Sequence, residues 1–120
     1  MYIAKERAES ELIDYASALA YMKKGKCKCA RAGWNGEDMM CFYVPGSEFE
    51  VNRAPLNEVF EEGTPIKYHG HVDMMLSDGS VTVWSPTMMD ITATDWFIIT
   101  EGELDLIKAS RMPAANEEDE

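Results

Sequence analysis

Apolar residues recur along this chain with two periods, and the change from one to the other separates a helix from a run of strands. Over residues 9–24, Leu12, Ala16, Leu19 and Ala20 fall at i, i+4, i+7 and i+8, one face of an α-helix. Ser10 or Asp14 can cap its start, and Gly25 stands where a C′ glycine belongs. Residues 1–8 either extend this helix or fray from it. Beyond Gly25 the period drops to two. Residues 26–32 alternate, which predicts a strand with Cys27 and Cys29 inward and Lys26 and Lys28 outward. Gly33-Trp34-Asn35-Gly36 predicts a turn, because glycine and asparagine tolerate positive φ; its Trp either points outward from the strand end, open to a planar ligand, or covers the edge of the core. Met39 to Val44 makes a second strand, antiparallel to the first, and Pro45-Gly46 ends it.

Residues 46–65 read as a long irregular connection. Phe49, Val51, Leu56, Val59 and Phe60 give it apolar anchors that a linker lacks, and a loop of this length in a small domain is often functional. Ile66 to Leu76 and Val81 to Trp84 predict a hairpin about Asp78-Gly79, a strong two-residue turn signal. Alternation sets Val81 and Val83 on one face, Thr82 and Trp84 on the other, and His71 with Asp73 on one face of the partner strand. Ser85-Pro86-Thr87 breaks the pattern, residues 87–93 predict a short helical turn, and Asp95 to Thr100 predict a last, buried strand. The expected fold is α+β, an N-terminal helix packed on a small, mainly antiparallel β-sheet. Residues 1–108 form one domain with its core at 14–100, and residues 109–120 a disordered acidic tail.

Composition narrows the partners. A chain of 120 residues holds one domain with one modest core. It has no apolar run long enough for a transmembrane helix and no apolar N-terminal segment of the secretory kind. Three cysteines, an odd number, suit free thiols in a reducing cytosol. The net charge of −11 disfavours nucleic acid and anionic membrane surfaces. Yet Lys23, Lys24, Lys26, Lys28 and Arg31 cluster with no acid among them, a corner suited to a small anion rather than a long polyanion. The plainer reading is a helix end whose lysines complement its dipole.

Three kinds of chemistry are open to these residues. Cys27-x-Cys29 and His69-x-His71 each set two metal ligands on a strand face, but the spacing is not a usual zinc signature, and no metal is expected. Cys29 or Cys41 with His71 is a nucleophile pair in principle, with no local motif behind it. Phosphate-loop, G-x-S-x-G and H-E-x-x-H patterns are all missing. Ligand holding fits best. Trp34 and Trp84 offer stacking faces, Asn35 and Asn52 amides, Asp73 or Asp90 acceptors for ribose hydroxyls, and Arg31 and Arg53 forks for phosphate. For Trp84 the competing explanation is core packing, and Trp96, within an apolar run, is read as core. Arg53 has neighbouring glutamates as its alternative partners.

One family carries these residues in this order: Arg31-x-Gly33-Trp34-Asn35-Gly36, Val44-Pro45-Gly46-Ser47, Val51-Asn52-Arg53-x-Pro55-Leu56, Glu62-Gly63-Thr64, His71-Val72-Asp73-Met74, Asp78-Gly79-Ser80, Val83-Trp84 and Ala93-x-Asp95-Trp96. From Asp14 to Ile99 the chain resembles the second type of phage Thoeris anti-defence protein. The resemblance implies a sponge: a protein that binds, without cleaving, a nucleotide immune signal made by host TIR-domain proteins. That signal is glycocyclic ADP-ribose, and some members also hold cyclic dinucleotides. It further implies a homotetramer with pockets near subunit contacts, no cofactor, and action in the cytoplasm of the infected bacterial host. Carried onto this chain, the ligand-binding residues are Arg31, Trp34, Asn35, Asn52, Arg53, Asp73 and Trp84. Ser85-Pro86-Thr87-Met88-Met89 departs from the longer stretch common in the family, which bears on ligand identity more than on fold. Two other classes compete: an adaptor using Trp34 and Met39-Met40 as a protein-binding patch, and a metal-dependent nucleotide hydrolase.

Overall fold

A computed structural model describes residues 1–111. The fold is α+β, with a five-stranded antiparallel sheet in the order β6-β5-β2-β1-β7 and a separate two-stranded ribbon, β3-β4. The strands are β1 (Cys29–Arg31), β2 (Met40–Val44), β3 (Ser47–Glu50), β4 (Pro65–Tyr68), β5 (His71–Met75), β6 (Val81–Val83) and β7 (Trp96–Ile98). Among the described residues the α-helices are α1 (Tyr15–Gly25), α2 (Met88–Thr92) and α3 (Glu101–Ser110). Among the described residues no helix is long and apolar enough to cross a membrane.

The amphipathic pattern does make a helix, but a shorter one than residues 9–24. Glu9–Glu11 forms a separate 3-10 turn, and the chain is extended at Leu12. Asp14 is the N-cap of α1, accepting from the Ser17 N–H at 2.8 Å. At the other end Gly25 is still helical, and Lys26 takes the left-handed C-cap at φ 56°. Residues 1–8 neither extend the helix nor fray. They dock, with Ile3 3% exposed and its N–H given to Asp38 at 2.9 Å.

Register assigns the two faces of the sheet. Cys29 faces Cys41 and Cys41 faces Met74, so these share the face covered by Ala18 and Met22 of α1. Ala30, Met40 and Phe97 point the other way, onto Ile3 and Ile107 of α3. The sheet is therefore covered on both faces. Helix α3 was not expected from periodicity, and it reaches past residue 108 to Ser110. Its start is nonetheless written as Thr100-x-x-Glu103. The Thr100 hydroxyl accepts from the Glu103 N–H at 3.1 Å, and the Glu103 carboxylate accepts from the Thr100 N–H at 2.9 Å. The acidic-tail expectation for 109–120 is corrected at Ala109 and Ser110, and residues 112–120 lie outside the described residues.

The segment 46–68 also differs from the expectation. Its ends are regular: β3 and β4 pair, with the rings of Phe49 and Tyr68 6.2 Å apart, and only residues 51–64 between them form the irregular connection, with a 3-10 turn at Leu56–Glu58. Nor is Ile66 to Leu76 one strand. Val44 faces His71 and, three residues on, Ser47 faces Tyr68, so one register runs through both β2-β5 and β3-β4. What interrupts it is Pro45-Gly46 against His69-Gly70. Pro45 has no N–H to donate to a ladder. A Cβ on Gly46 would lie 2.8 Å from the Tyr68 carbonyl oxygen, and one on Gly70 would strike the Tyr43 hydroxyl. The ribbon leaves the sheet there as an arm. The hairpin about Asp78-Gly79 forms, but with three residues, Ser77 to Gly79, between the paired Leu76 and Ser80, and with Gly79 at φ 89°.

Trp96 is fully buried between sheet, α1 and α2. Trp96→Ala is expected to cost about 3–5 kcal/mol by opening a core cavity. Urea unfolding followed by far-UV circular dichroism measures this.

Candidate functional site

Of the two directions open to Trp34, the turn after β1 takes the inward one. Trp34 is half-buried and packs against both core clusters. Its ring lies 6.2 Å from Trp84 and 5.3 Å from Trp96, and Trp84 lies 6.0 Å from Trp96. All three contacts are edge-to-face, the geometry that ring quadrupoles favour. Tyr15 of α1 closes the group at 5.4 Å from Trp96.

Asp90 holds this box together. It is 5% exposed, yet it accepts from Arg31 Nη1 at 2.7 Å and from Trp34 Nε1 at 3.2 Å on the same oxygen. Its other oxygen accepts from the Thr87 N–H and hydroxyl, both at 2.9 Å. Its backbone carbonyl accepts from Trp96 Nε1 at 2.9 Å. Burial pushes the Asp90 carboxyl up, but the Thr87, Arg31 and Trp34 hydrogen bonds together outweigh it and hold it below the usual carboxylate range. Asp95 completes the set, taking Arg31 Nε at 2.8 Å and the Gly33 N–H at 2.8 Å.

Of the seven expected ligand residues, the fold brings three together: Arg31, Trp34 and Trp84. Arg31 is 13% exposed at its side chain and spends two of its N–H donors on Asp90 and Asp95. A guanidinium carries five, so donors remain. Asn35 stands apart, exposed beside a cavity of about 460 Å³ that Met1, Ile3 and Lys5 also line. Asn52 and Arg53 line a cavity of about 510 Å³ on the arm, with Phe49, Leu56 and Tyr68. Asp73 pairs with His71 Nε2 at 3.1 Å, on the sheet face opposite α1. Asp95 was not among the candidates, and Asp90 was only an alternative to Asp73. Thr87-x-x-Asp90, a capping-box spacing, was the signal available for Asp90.

The other chemistries fare differently. Cys29 and His71 lie on opposite faces of the sheet, so the Cys-Cys-His-His set does not converge. Among the described residues no three His, Cys, Asp or Glu side chains gather as a metal site. Burial pushes the Cys29 thiol up to about 12 and raises that of Cys41, which leaves neither a nucleophile near neutral pH. The Met39-Met40 patch of the adaptor reading is not a surface, since Met40 is 5% exposed.

A family model for the Thoeris anti-defense 2-like domain matches residues 13–99. The chain belongs to this family. The matched span contains Arg31, Trp34, Trp84, Asp90, Asp95 and Trp96, the whole aromatic box and its carboxylates. It excludes α3 and the docked segment before Leu12. Membership assigns the protein an anti-defence role against Thoeris. No curated protein matches the chain.

Asp90→Asn keeps the shape but removes the charge facing Arg31. Unfolding at pH 7 should become easier by about 3 kcal/mol, as for a buried pair stripped of one partner. Because the folded carboxyl titrates lower than the unfolded one, its contribution is full above the unfolded value of about 3.9 and is lost as pH falls through the folded value. The parent should thus lose more stability than the variant between pH 5 and pH 2, as urea titrations at several pH values will show.

Proposed function

We propose that the protein is a sponge that sequesters a cyclic ADP-ribose-type signal, glycocyclic ADP-ribose, and so blocks Thoeris TIR signalling without cleaving its ligand. Family membership supports this reading, and the aromatic box is the observation that carries it. Trp34 and Trp84 are fixed at defined angles by Asp90 and Trp96, and a preset stacking surface binds a base at little entropic cost. Arg31 sits beside them with donors to spare for a phosphate, and Arg53 supplies a second fork from the arm. Asn35, Asn52 and Asp73 are the proposed polar contacts to base and ribose. Cyclic dinucleotides are a second ligand class on the same chemistry. These groups suit holding a ground state, which lowers free ligand and accelerates nothing.

The seven residues lie at four places on one protomer, and no one cavity is lined by all of them. A dinucleotide-sized ligand touching several of them draws on more than one copy, which favours a homotetramer with pockets near subunit contacts. Exposed apolar surface is available for such contacts: Val59 at the arm's end is 73% exposed, and Met88 and Met89 of α2 are 72% and 73% exposed.

The test mixes protein with excess glycocyclic ADP-ribose, denatures the protein by heat and chromatographs the supernatant. Before heating, free ligand should fall until about one per site is held. After heating, all of it should return unmodified. Progressive conversion beyond one equivalent would instead reveal a hydrolase. Trp84→Ala should weaken binding by about 1–3 kcal/mol in calorimetry, through lost stacking. Light scattering should give four chains, and a monomer that still binds would remove the shared-pocket argument.

A further inference from the structure

The two edges of the five-stranded sheet are finished differently. At the β7 edge Ile13 closes the ladder, giving its N–H to the Trp96 carbonyl at 2.8 Å and accepting the Trp96 N–H at 3.1 Å. At the other edge lies β6, with Val81 54% and Val83 64% exposed and Thr82 exposed between them. Edge strands are commonly guarded by charged side chains, prolines, bulges or a covering segment. Apart from being short, β6 has none of these guards. It lies instead in residues 79–89, the longest uncharged run in a chain of net charge −11.

Hydrogen-bond parity shows which backbone groups this edge leaves open. The Leu76 N–H donates to the Ser80 carbonyl at 2.8 Å, and the Trp84 N–H to the Val72 carbonyl at 2.9 Å. Bonded pairs alternate along an antiparallel ladder, so Met74 with Thr82 is the bonded pair between them. The N–H and C=O of Thr82 therefore point to β5, and those of Val81 and Val83 point out. Among the described residues the Val83 carbonyl meets the Thr82 hydroxyl at 3.4 Å, and the other three outward groups have no partner. A second copy turned about a two-fold axis through Thr82 fits this pattern. Val81 of each copy then faces Val83 of the other, and their outward N–H and C=O groups bond reciprocally. Thr82 faces its own twin in the close, non-bonded position, with about 4.5 Å between Cα atoms. Valine opposite valine and threonine opposite threonine are favourable cross-strand pairs.

We propose that β6 pairs with β6 of a second copy in this register, joining two five-stranded sheets into one continuous sheet. Such an isologous contact makes a dimer, and one further, different contact makes a tetramer. The pairing follows from the edge itself and rests on the shared-pocket reading only for its place in that tetramer. The same register sets Ser80 of one copy across from Trp84 of the other, on the face that carries α1 and the aromatic box. Each site is thus edged by the Asp78-Gly79 turn of a second copy.

Cross-linking reads the register. In a Cys27→Ser background, which removes the partly exposed native thiol, Thr82→Cys is compared with Val83→Cys. Two cysteines at position 82 lie within disulfide reach, whereas two at position 83 lie about 8 Å apart, beyond it. Under mild oxidation Thr82→Cys should form a covalent dimer at least about 10-fold faster. Val81→Lys with Val83→Lys sets lysine opposite lysine; light scattering should find the mass halved, while circular dichroism shows the fold intact. Mixing that variant with Val81→Glu, Val83→Glu should restore the full mass, which a misfolded chain could not do. Equal linking at positions 82 and 83, an unchanged mass for the lysine variant, or no recovery on mixing would overturn the proposal. A protein that fails these tests yet holds glycocyclic ADP-ribose removes this interface and leaves the sponge reading standing. Linked dimers that hold no ligand do the reverse.

Discussion

One buried carboxylate sets the arrangement of this domain. Asp90 sits on α2, a helix of five residues, too short to persist by its own hydrogen bonds. It stays because the Asp90 side chain accepts from Arg31 on β1, Trp34 on the following turn and Thr87 at its own cap, while its carbonyl takes Trp96 from β7. The β1 end at residues 31–34, the cap of α2 and the start of β7 thus meet on one residue. Among the described residues no fully buried side-chain nitrogen or oxygen lacks a partner, so the cost of burying the charge is offset, and Trp34 and Trp96 cannot turn without breaking a hydrogen bond.

A second carboxylate repeats the device on the opposite face. Glu103 caps α3 and, in the same position, accepts from Arg7 Nη2 at 2.6 Å and from the Ala4 N–H at 2.9 Å. The Arg7 guanidinium in turn lies 4.1 Å from the centroid of Phe97. The docked N-terminal segment and α3 therefore hold each other on the sheet. The family match does not reach this layer, whereas it takes in the whole of the Asp90 layer.

The sequence's local signals were legible wherever they acted alone. Asp78-Gly79 set its hairpin, the alternation at residues 39–44 set β2, and the apolar run around Trp96 set a buried strand. They failed where a tertiary partner decided. Nothing near Met1 to Ala8 announces that Asp38 and Glu103 will collect its N–H groups. The helical period of α3 is diluted by exposed Leu106 and by Gly102, so only its capping box marks it. Trp34 was legible as a turn residue, but its direction depended on Asp90, far along the chain. The continuous register from β2-β5 into β3-β4 was hidden because Pro45 and the two glycines read as ends of strands, when they are bends in one ribbon.

That bend has a mechanical consequence. A two-stranded ribbon standing alone is marginal in water, and this one is joined to the sheet by Pro45-Gly46 and His69-Gly70 alone. The arm can open locally at far lower free energy than the sheet, and its amides will exchange with solvent well before those of β1 or β7. Asn52 and Arg53 ride on this element, while Trp34 and Trp84 are fixed in the core. A ligand that touches both must order the arm as it binds. Its residence time would then be governed by how often the ribbon swings at the glycine bend.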